Sequence, residues 1–527
     1  MNRPVSKVEP DPQRVFFIEC SGSHWVSIAR ALAERHRIRP VLWTGDEATV
    51  GLALRAFPDI VANRGADATC GRFPQAAAWP VTPLDEHLLR SLAADESIAL
   101  SMMDRMDLGP GMFDHDARRR LWHELLRSWG AALDALKPDA VIFSIAPHQI
   151  YDFALYALCR LRGIATRMFE RAPLPGFVFL ISRFEEGAAQ LRDLLRGEDL
   201  AESLSNGGRQ HIARLRSGGE GALPPNYRKK LLKRGILAPS GRQDSLGLLS
   251  ILAFEARRAL YLLLRGEGPP DNYFAHEDKD GRLVSPGLAG WIVGRWRGQW
   301  RKWRLRRLVS KLARPLEPGS AYVLLALHFQ PERAIVPMAG AFGDQNLIVD
   351  MLARSLPPGW TLVVKEHPWQ LVPFSRGELS RSAGFYRRMV QHPNVILAAP
   401  DADTQELLAS ARAAATATGS IGWQALARGT PVLVFGAAWY SDAPGVYRIR
   451  DGESCGAAMA AIAKGDAVPS GSAERILAAV EAIAVRGYLE PDLEAIEGLN
   501  EADAVESMSA ALAAALMVQT GGQVFKS

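Results

Sequence analysis

The chain has 527 residues, a formal net charge of +5, 48% hydrophobic residues and 23% charged residues. This length accommodates two or three domains, and the composition is ordinary for a globular protein, so it excludes an intrinsically disordered chain. Four widely spaced cysteines with no C-x-x-C pair argue against a disulfide framework and a cysteine zinc site. No run approaches the roughly 20 apolar residues that span a bilayer, and the first residues lack the apolar stretch of a signal peptide. We therefore expect a cytoplasmic protein.

The N-terminal part alternates predicted strands and helices. Val15–Cys20 is an apolar strand followed by a Ser-Gly-Ser loop, a helical segment comes next, and Pro40–Trp43 reads as a second strand. This alternation predicts a Rossmann-like domain over residues 12–186. The Ser-Gly-Ser loop lacks the G-x-G-x-x-G fingerprint of a dinucleotide site, so we interpret it as a turn that shapes the acceptor side of a cleft.

Candidate catalytic groups follow two later strands of the same domain. Ala140–Ile145 and Ile164–Phe169 are predicted strands joined by a helix. Because the carboxyl ends of parallel strands meet at one edge of a sheet, we expect His148 and Glu170 to face a cleft, with Glu19 and Asp152 as their neighbours. Histidine has an unperturbed pKa suited to a general base, and a glutamate suits a base or a nucleophile. The alternative is that these side chains are merely solvated groups at strand ends.

The middle of the chain, residues 187–319, is predicted to be a helical, basic insertion. Trp296, Trp300 and Trp303 fall near one face of a helix over Trp291–Leu312, with arginines and lysines on its other faces. Tryptophan with arginine on an amphipathic helix is typical of a segment that lies on a membrane surface. Packing of the tryptophans between domains explains the same pattern. Nucleic-acid binding is disfavoured because no recognised motif accompanies the charge.

Three polar clusters follow predicted strands in the C-terminal half. They are Gln330-Pro331-Glu332 after Ala321–Phe329, Lys365-Glu366-His367-Pro368 after Trp360–Val364, and Thr418-Gly419-Ser420 at the end of Ala414–Thr418. The third cluster opens a helix that Ser420 is expected to cap and Gly429 to end, and the start of a helix attracts anions. Each cluster alone is explained equally well by a helix start, a loop histidine or a cap. Together they predict one crevice that holds an anionic ligand.

These clusters resemble the capsule polysaccharide biosynthesis family. The similarity covers roughly Ala321–Ile449 and lies in LHFQPERAIVPMAGAFGDQ, VVKEHP and TATGSIGWQALARGTPVLVFGAAWYSDAPGV. It implies a two-domain glycosyltransferase fold of the GT-B type and a CMP-Kdo donor. It also implies that His367 and Pro368 lie at the CMP moiety and that Gly419 and Ser420 lie beside the phosphate.

The resemblance defines a set of nucleotide-sugar residues. Glu332 matches the family's Q-P-E motif, and the family often has threonine where Ile335 and Ser420 stand. The residues assigned to donor binding are Gln330, Glu332, Lys365, His367, Pro368, Thr418, Gly419 and Ser420. Neither a metal nor a cofactor is expected beside the CMP-sugar donor, since a donor with one phosphate needs a metal clamp less than a diphosphate does. Asp401-Ala402-Asp403 resembles a D-x-D metal motif, but Asp403 and Glu406 are better explained as a capping box.

The expected fold class is α/β, with two Rossmann-like domains facing a cleft in the GT-B manner and a helical insertion between them. The nucleotide-sugar domain is expected over residues 320–465, and helices over 466–527 are expected to pack back on the first domain. The expected function is transfer of Kdo or a related acidic sugar from a CMP-activated donor to a glycolipid or polysaccharide acceptor, at the inner face of the cytoplasmic membrane. The alternatives are a UDP-sugar-dependent transferase or epimerase with the same fold, and a non-catalytic, membrane-associated capsule-assembly protein.

Overall fold

The computed structural model divides into two compact units. It describes residues 11–73, 79–80, 83–107, 109, 113–197, 200–218, 248–266, 276–277, 283–284, 287–372, 375–490 and 499–517. The first unit comprises Met1–Asp95, Leu121–Arg183 and Ala484–Ser527, and the second comprises Glu96–Arg120 and Phe184–Ile483. Residues 96–120, which the sequence places within the first domain, thus cluster with the second unit.

Helices and strands alternate along most of the chain. The helices are α1 (Ser23–His36), α2 (Glu47–Ala56), α3 (Gly65–Thr69), α4 (Glu86–Ser91), α5 (Ala93–Met102), α6 (His115–Leu136), α7 (Ile150–Arg162), α8 (Ala189–Arg196), α9 (Asn206–Ser217), α10 (Leu248–Arg265), α11 (Leu288–Leu312), α12 (Gln345–Ser355), α13 (Ala383–Met389), α14 (Thr404–Ala409), α15 (Ser420–Ala427), α16 (Gly452–Ala463), α17 (Ser472–Ile483) and α18 (Glu501–Met517). The strands are β1 (Gln13–Ile18), β2 (Ile38–Gly45), β3 (Val61–Arg64), β4 (Ala140–Phe143), β5 (Ala165–Arg171), β6 (Phe177–Ile181), β7 (His276–Glu277), β8 (Leu283–Val284), β9 (Tyr322–Ala326), β10 (Thr361–Lys365), β11 (Val395–Leu397), β12 (Ala413–Thr416), β13 (Val432–Val434), β14 (Val446–Arg448) and β15 (Val485–Arg486).

The first unit contains a seven-stranded sheet in the order β15-β6-β5-β4-β1-β2-β3. Strands β1 to β5 pair in parallel, whereas β6 and β15 run antiparallel at one edge. Residues 15–18 of β1 are all buried, as expected for a central parallel strand that is covered on both faces. The chain leaves β1 in one direction through β2 and β3 and in the other through β4 and β5, which is the Rossmann-like arrangement that the sequence predicts.

Aromatic residues and the last helix build the core of the first unit. Phe17 of β1 stacks on Trp43 of β2, with ring centroids 4.8 Å apart. Helix α18 packs against α1, and its Met508 and Leu512 belong to the same buried cluster as those two rings. Helix α17, by contrast, packs on α8 and α9 in the second unit.

The second unit contains a six-stranded sheet that is parallel throughout, in the order β11-β10-β9-β12-β13-β14. Strand β9 lies between β10 and β12, and the chain order reverses there. Lys365 of β10 pairs with Ala326 of β9, and Ala415 of β12 pairs with Leu325. The three strands therefore end at the same level of the sheet. The predicted α/β class, with two largely parallel sheets, is confirmed.

The predicted insertion packs onto the second unit. Helix α11 contacts α10, α13 and the short 3-10 helix Gly377–Ser380, and its Leu305 and Val309 enter the core beneath the second sheet. Trp296 and Trp300 are 43% and 52% exposed. Packing therefore does not account for these two tryptophans. Among the described residues, no helix is long and apolar enough to cross a bilayer.

Candidate functional site

The loop after β9 is ordered by the side chain of Gln330. Its Oε1 accepts hydrogen bonds from Gln345 Nε2 at 2.8 Å and from Arg381 Nη1 at 2.5 Å, and its Nε2 donates to the carbonyl of Gly343 at 2.8 Å. The amide group is thus occupied within the protein on both its oxygen and its nitrogen. These hydrogen bonds fix the shape of the loop, and a contact between Gln330 and the donor stays a prediction.

The loop after β10 is held by a buried ion pair. Glu366 accepts from Arg381 Nε at 2.8 Å, from the hydroxyl of Tyr386 at 2.7 Å and from the backbone N–H of His367 at 2.6 Å. Arg381 also donates to the carbonyl of His328 at 2.9 Å. Although burial opposes its charge, Glu366 and Tyr386 raise the pKa of Arg381. This guanidinium joins the ends of β9 and β10, and both ions of the pair are buried.

Lys365, the last residue of β10, is also buried. Its Nζ donates at 2.8 Å to the carbonyl of Pro400, which follows β11. Burial lowers the pKa of Lys365, against the opposing effect of Glu366. In the sheet, β11 lies on the opposite side of β10 from β9 and β12. The ammonium of Lys365 therefore binds on the side of β10 that is away from the other two strand ends. A direct contact between Lys365 and a donor stays a prediction.

His367 is a neutral hydrogen-bond donor. Its Nδ1 accepts the backbone N–H of Trp369 at 3.1 Å, so the ring proton of the neutral imidazole is on Nε2. Burial, with the nearby charges of Arg381 and Lys365, lowers the pKa of His367 to about 3. At neutral pH the imidazole is therefore uncharged and can donate one hydrogen bond from Nε2. Pro368, beside it, is exposed.

His328 is a site residue that the sequence reasoning missed. Its Nε2 accepts the backbone N–H of Thr418 at 3.1 Å and lies 2.9 Å from Thr416 Oγ1, which in turn accepts the N–H of Gly419 at 3.1 Å. Burial lowers the pKa of His328 to about 3, so the ring is neutral and carries its proton on Nδ1. A histidine at the end of an otherwise apolar strand was the available signal. It connects the end of β9 to the loop after β12.

Helix α15 begins one residue earlier than a cap at Ser420 implies. Gly419 occupies the N-cap position, with φ −75° and ψ 155°, and Ser420 is the first helical residue, so the prediction that Ser420 caps the helix is wrong. A Cβ on Gly419 would lie 2.8 Å from Thr416 Oγ1 and 3.0 Å from the ring of His328, which excludes a larger residue without rearrangement. Gly429, with φ +80°, follows the helix as predicted.

The three predicted clusters thus lie together at the carboxyl ends of β10, β9 and β12. Thr418 Oγ1 donates at 2.6 Å to the carbonyl of Ala334, in the loop that also carries the half-buried Glu332. Ser420 is exposed at the start of α15. The first backbone N–H groups of a helix have no acceptor within the helix, and the helix dipole favours negative charge there. This edge of the second sheet can therefore receive an anionic group.

The candidate catalytic residues lie at or after the carboxyl ends of β4 and β5, in the sheet of the first unit. His148 follows β4, and its backbone N–H donates to Asp152 Oδ2 at 3.2 Å, while its Nδ1 is 3.2 Å from the carbonyl of Ala146. Asp152 is only 1% exposed and lies in the first turn of α7. Its position suits a residue that anchors the loop. Glu170 is half-buried near the end of β5, which pairs in parallel with β4. The catalytic roles of all three stay predictions.

Asp403, the second acid of the Asp401-Ala402-Asp403 motif, has a structural role. Asp403 caps α14 and accepts the backbone N–H groups of Gln405 at 2.6 Å and of Glu406 at 3.2 Å. The interpretation of Asp403 as a helix cap is therefore confirmed. Within the described ranges, no three His, Cys, Asp or Glu side chains are grouped so that they could hold a metal ion.

A known protein family matches the part of the sequence that contains the three polar clusters. Residues 272–454 match the model of the family described as capsule polysaccharide biosynthesis protein. We call residues 272–454 the capsule-synthesis segment. The capsule-synthesis segment contains all three polar clusters, together with His328, Arg381 and the whole parallel sheet. No curated protein matches the sequence.

Solved structures show only remote likeness. The beta Kdo 2,4 transferase KpsC of Thermosulfurimonas dismutans is 14% identical, with 71% of this chain and 87% of that chain covered and a TM-score of 0.28. The beta Kdo 2,7 transferase KpsC of the same organism is 13% identical, with 43% and 67% covered and a TM-score of 0.24. The UDP-GlcNAc 2-epimerase of Neisseria meningitidis is 10% identical, with 96% and 100% covered and a TM-score of 0.21. At these TM-scores none of the three supports a functional assignment.

Proposed function

We propose that the chain is a glycosyltransferase of capsule or surface polysaccharide synthesis that uses a CMP-activated acidic sugar, Kdo or a relative of it, as donor. One observation carries the proposal. Three loops that bear the family's motifs are joined by buried hydrogen bonds through Arg381 and His328 at one edge of a parallel sheet. Ligands of open α/β sheets bind at such an edge, where the strand order reverses.

The charge state of this edge suits the phosphate of a CMP-sugar. That phosphate is a diester with a single negative charge, and a neutral N–H donor beside a helix start stabilises such a charge. His367 supplies a neutral Nε2–H, and the start of α15 at Ser420 supplies backbone N–H groups. In the proposal His367 and Pro368 contact the CMP moiety, and Thr418, Gly419 and Ser420 surround the phosphate. Neither a metal nor a further cofactor takes part.

The transfer step needs a group that accepts a proton. The acceptor hydroxyl oxygen bonds to the anomeric carbon, the bond from that carbon to the phosphate oxygen breaks, and CMP leaves with the electron pair. The hydroxyl proton passes to a base, for which His148 and Glu170 are the candidates, while Asp152 holds the His148 loop. If Glu170 instead attacks the anomeric carbon, the same groups give a two-step reaction through a covalent sugar intermediate.

The acceptor is proposed to be a glycolipid or a growing polysaccharide. An acceptor of this kind would place the enzyme at the cytoplasmic face of the inner membrane, in peripheral contact with it. If the donor is a UDP-sugar, the alternative function applies, which is a UDP-sugar-dependent transferase or epimerase of similar architecture.

Incubation with a panel of CMP- and UDP-sugars and a glycolipid extract, followed by measurement of the released nucleotide, tests the proposal. We expect CMP release that depends on the acceptor, and CMP should compete better than UDP. The His367→Ala variant should bind CMP at least about tenfold more weakly, since a hydrogen bond to a charged group is lost. His392→Ala is the matched control, because His392 lies in the same unit and pairs with Asp350 instead. Release of UDP alone, or equal CMP affinity in the His367 and His392 variants, would contradict the assignment.

Glu170→Gln and His148→Ala separate chemistry from donor binding. Each variant should keep CMP affinity, because the CMP residues lie in the other unit, and the variant of the true base should lose transfer. Normal turnover in either variant would remove that residue from the mechanism.

A further inference from the structure

We propose that the outward faces of α10 and α11 form one docking surface for a bilayer that contains anionic lipids. We call it the hairpin surface and define it by seven exposed apolar side chains, Leu260, Tyr261, Leu263, Leu264, Val293, Trp296 and Trp300. The sequence indicates a membrane contact only through the tryptophans of α11. The structure adds the exposed side chains of α10 to it. The inference does not depend on which nucleotide sugar the proposed enzyme uses.

The two helices are fixed to each other by inward-facing polar groups. Glu255 of α10 accepts from Arg295 Nη2 at 2.6 Å and from Gln299 Nε2 at 2.7 Å, and all three side chains are buried. Arg258 lies over the ring of Trp291 at 5.1 Å. A buried polar cluster therefore joins the two helices on the side where Leu262 and Trp291 also pack. Large apolar side chains remain on the exposed side, together with basic ones.

Exposed apolar side chains are concentrated on this hairpin. In the described part of the chain, eleven large hydrophobic residues are exposed, and seven of them belong to the hairpin surface. Leu260 and Leu264 are one helical turn apart on α10, opposite the buried Ala259 and Leu262, and Leu264 is 79% exposed. Such a concentration of exposed apolar side chains on two helices in contact is typical of an interaction site.

The exposed charge on both helices is exclusively positive. Helix α11 contains no Asp or Glu among its 25 residues, and the single acid of α10, Glu255, is buried and paired. The exposed basic residues next to the apolar ones include Arg257, Arg265, Arg297, Arg304 and Arg307. Arg304 lies 4.6 Å above the ring of Trp300, and Arg265 lies 4.7 Å above that of Tyr261.

This charge decides which partner fits the hairpin surface. Two copies of the surface would repel each other, so a symmetric dimer of the chain is disfavoured. Exposed tryptophan, leucine and arginine side chains on two helices in contact match the boundary between lipid head groups and acyl chains, where the rings enter and the cations meet phosphates. Each basic side chain near an anionic membrane strengthens binding by roughly fivefold. A bilayer with anionic lipids satisfies both the apolar and the cationic part.

Vesicle flotation of the full chain, without nucleotide sugar, tests the inference. We expect flotation with vesicles of phosphatidylcholine mixed with phosphatidylglycerol and at least about tenfold weaker binding to phosphatidylcholine alone. The double variant Trp296→Ala/Trp300→Ala and the single variant Leu264→Glu should each weaken binding by roughly tenfold or more. The matched control is Leu347→Glu, because Leu347 is 49% exposed on α12 of the same unit and is not one of the residues of the hairpin surface.

Three outcomes would overturn the proposal. They are equal binding of the Leu264→Glu and Leu347→Glu variants, equal binding to neutral and anionic vesicles, and a dimer in vesicle-free solution that the Trp296→Ala/Trp300→Ala variant abolishes. Donor hydrolysis, measured in solution on the same variants, distinguishes failure of the membrane-surface proposal from failure of the glycosyltransferase proposal. Loss of flotation with normal CMP release supports the surface, whereas absence of CMP release with normal flotation contradicts only the glycosyltransferase assignment.

Discussion

Replacement of Arg381 by methionine tests whether one guanidinium joins the motif loops. Its side chain is fully buried and contacts the Glu366 carboxylate, the Gln330 amide and the carbonyl of His328, so it links the ends of β9 and β10. Methionine fills a similar volume but leaves Glu366 buried without its cation. Removing one partner of a buried ion pair costs about 3–5 kcal/mol. Because Glu366 keeps its bonds to Tyr386 and to the backbone, we expect the lower end, about 3 kcal/mol.

The assay is thermal and guanidinium unfolding, with CMP binding measured on the folded variant. A loss of about 3 kcal/mol corresponds to a fall of roughly 6 °C in the melting temperature of a large unit. The double variant Arg381→Met/Glu366→Gln should recover about 2 kcal/mol of the lost free energy of unfolding, because it contains no buried carboxylate without its cation. Arg387→Met, at an exposed position of α13, is the control and should stay within about 0.5 kcal/mol of the parent. Equal stability of the Arg381 and Arg387 variants would refute the reasoning.

His328 and Gly419 are packed together where the loops after β9 and β12 meet. In the folded chain His328 has a pKa of about 3, whereas in the unfolded chain a histidine has its ordinary pKa of about 6.5. Between these values acid protonates only the unfolded chain. The free energy of unfolding is therefore unaffected by this group above pH 6.5 and falls by up to about 1.4 kcal/mol per pH unit below it. In guanidinium unfolding at pH 7 and pH 5, His328→Asn should show a shallower acid loss than the parent, and parallel profiles would contradict this. Gly419→Ala should lose about 1–3 kcal/mol, because its Cβ meets Thr416 and His328, whereas Gly452→Ala, with open space around its Cβ, should lose nothing. Similar melting temperatures for the two alanine variants would rule out the close approach.

The sequence predicts the strands and the edge where they end, because these features are local. A buried apolar run followed by a polar cluster appears at Ala321–Phe329, and the structure places strand β9 within it. Short turns and helices of near-standard length leave little freedom in how such units stack, so the parallel order follows. The three clusters consequently come together as predicted, although they are up to about ninety residues apart along the chain.

The residues that fix the geometry of this edge could not be predicted in the same way. Arg381 lies about fifty residues from Gln330, on a segment with no periodic signal, and only the folded chain shows that its guanidinium reaches both loops. Nor does the sequence tell which side of α11 faces inward. Helical spacing places Arg295 and Trp296 on different sides, and burial of the arginine is decided by Glu255 on another helix. Side-chain pairing over long distances overrides the local pattern at both places.

The backbone N–H group at the start of α15 can be removed by a single substitution. Ser420 occupies the first helical position, where proline is well tolerated, and Gly419 has the extended conformation that a residue before proline adopts. Ser420→Pro therefore removes one N–H donor, as well as the hydroxyl, without breaking the helix. Ser420→Ala removes only the hydroxyl.

If that N–H group binds the donor phosphate, the proline variant loses a hydrogen bond to a charged group. Such a bond contributes about 1.5–3 kcal/mol, so CMP should bind roughly ten- to hundredfold more weakly to Ser420→Pro than to Ser420→Ala. Calorimetric titration measures the two affinities, and melting temperatures within about 2 °C of each other establish that α15 is intact in both. Equal CMP affinity in two equally stable variants means that the phosphate is not bound by this N–H group, because the proline differs from the alanine chiefly in the missing donor.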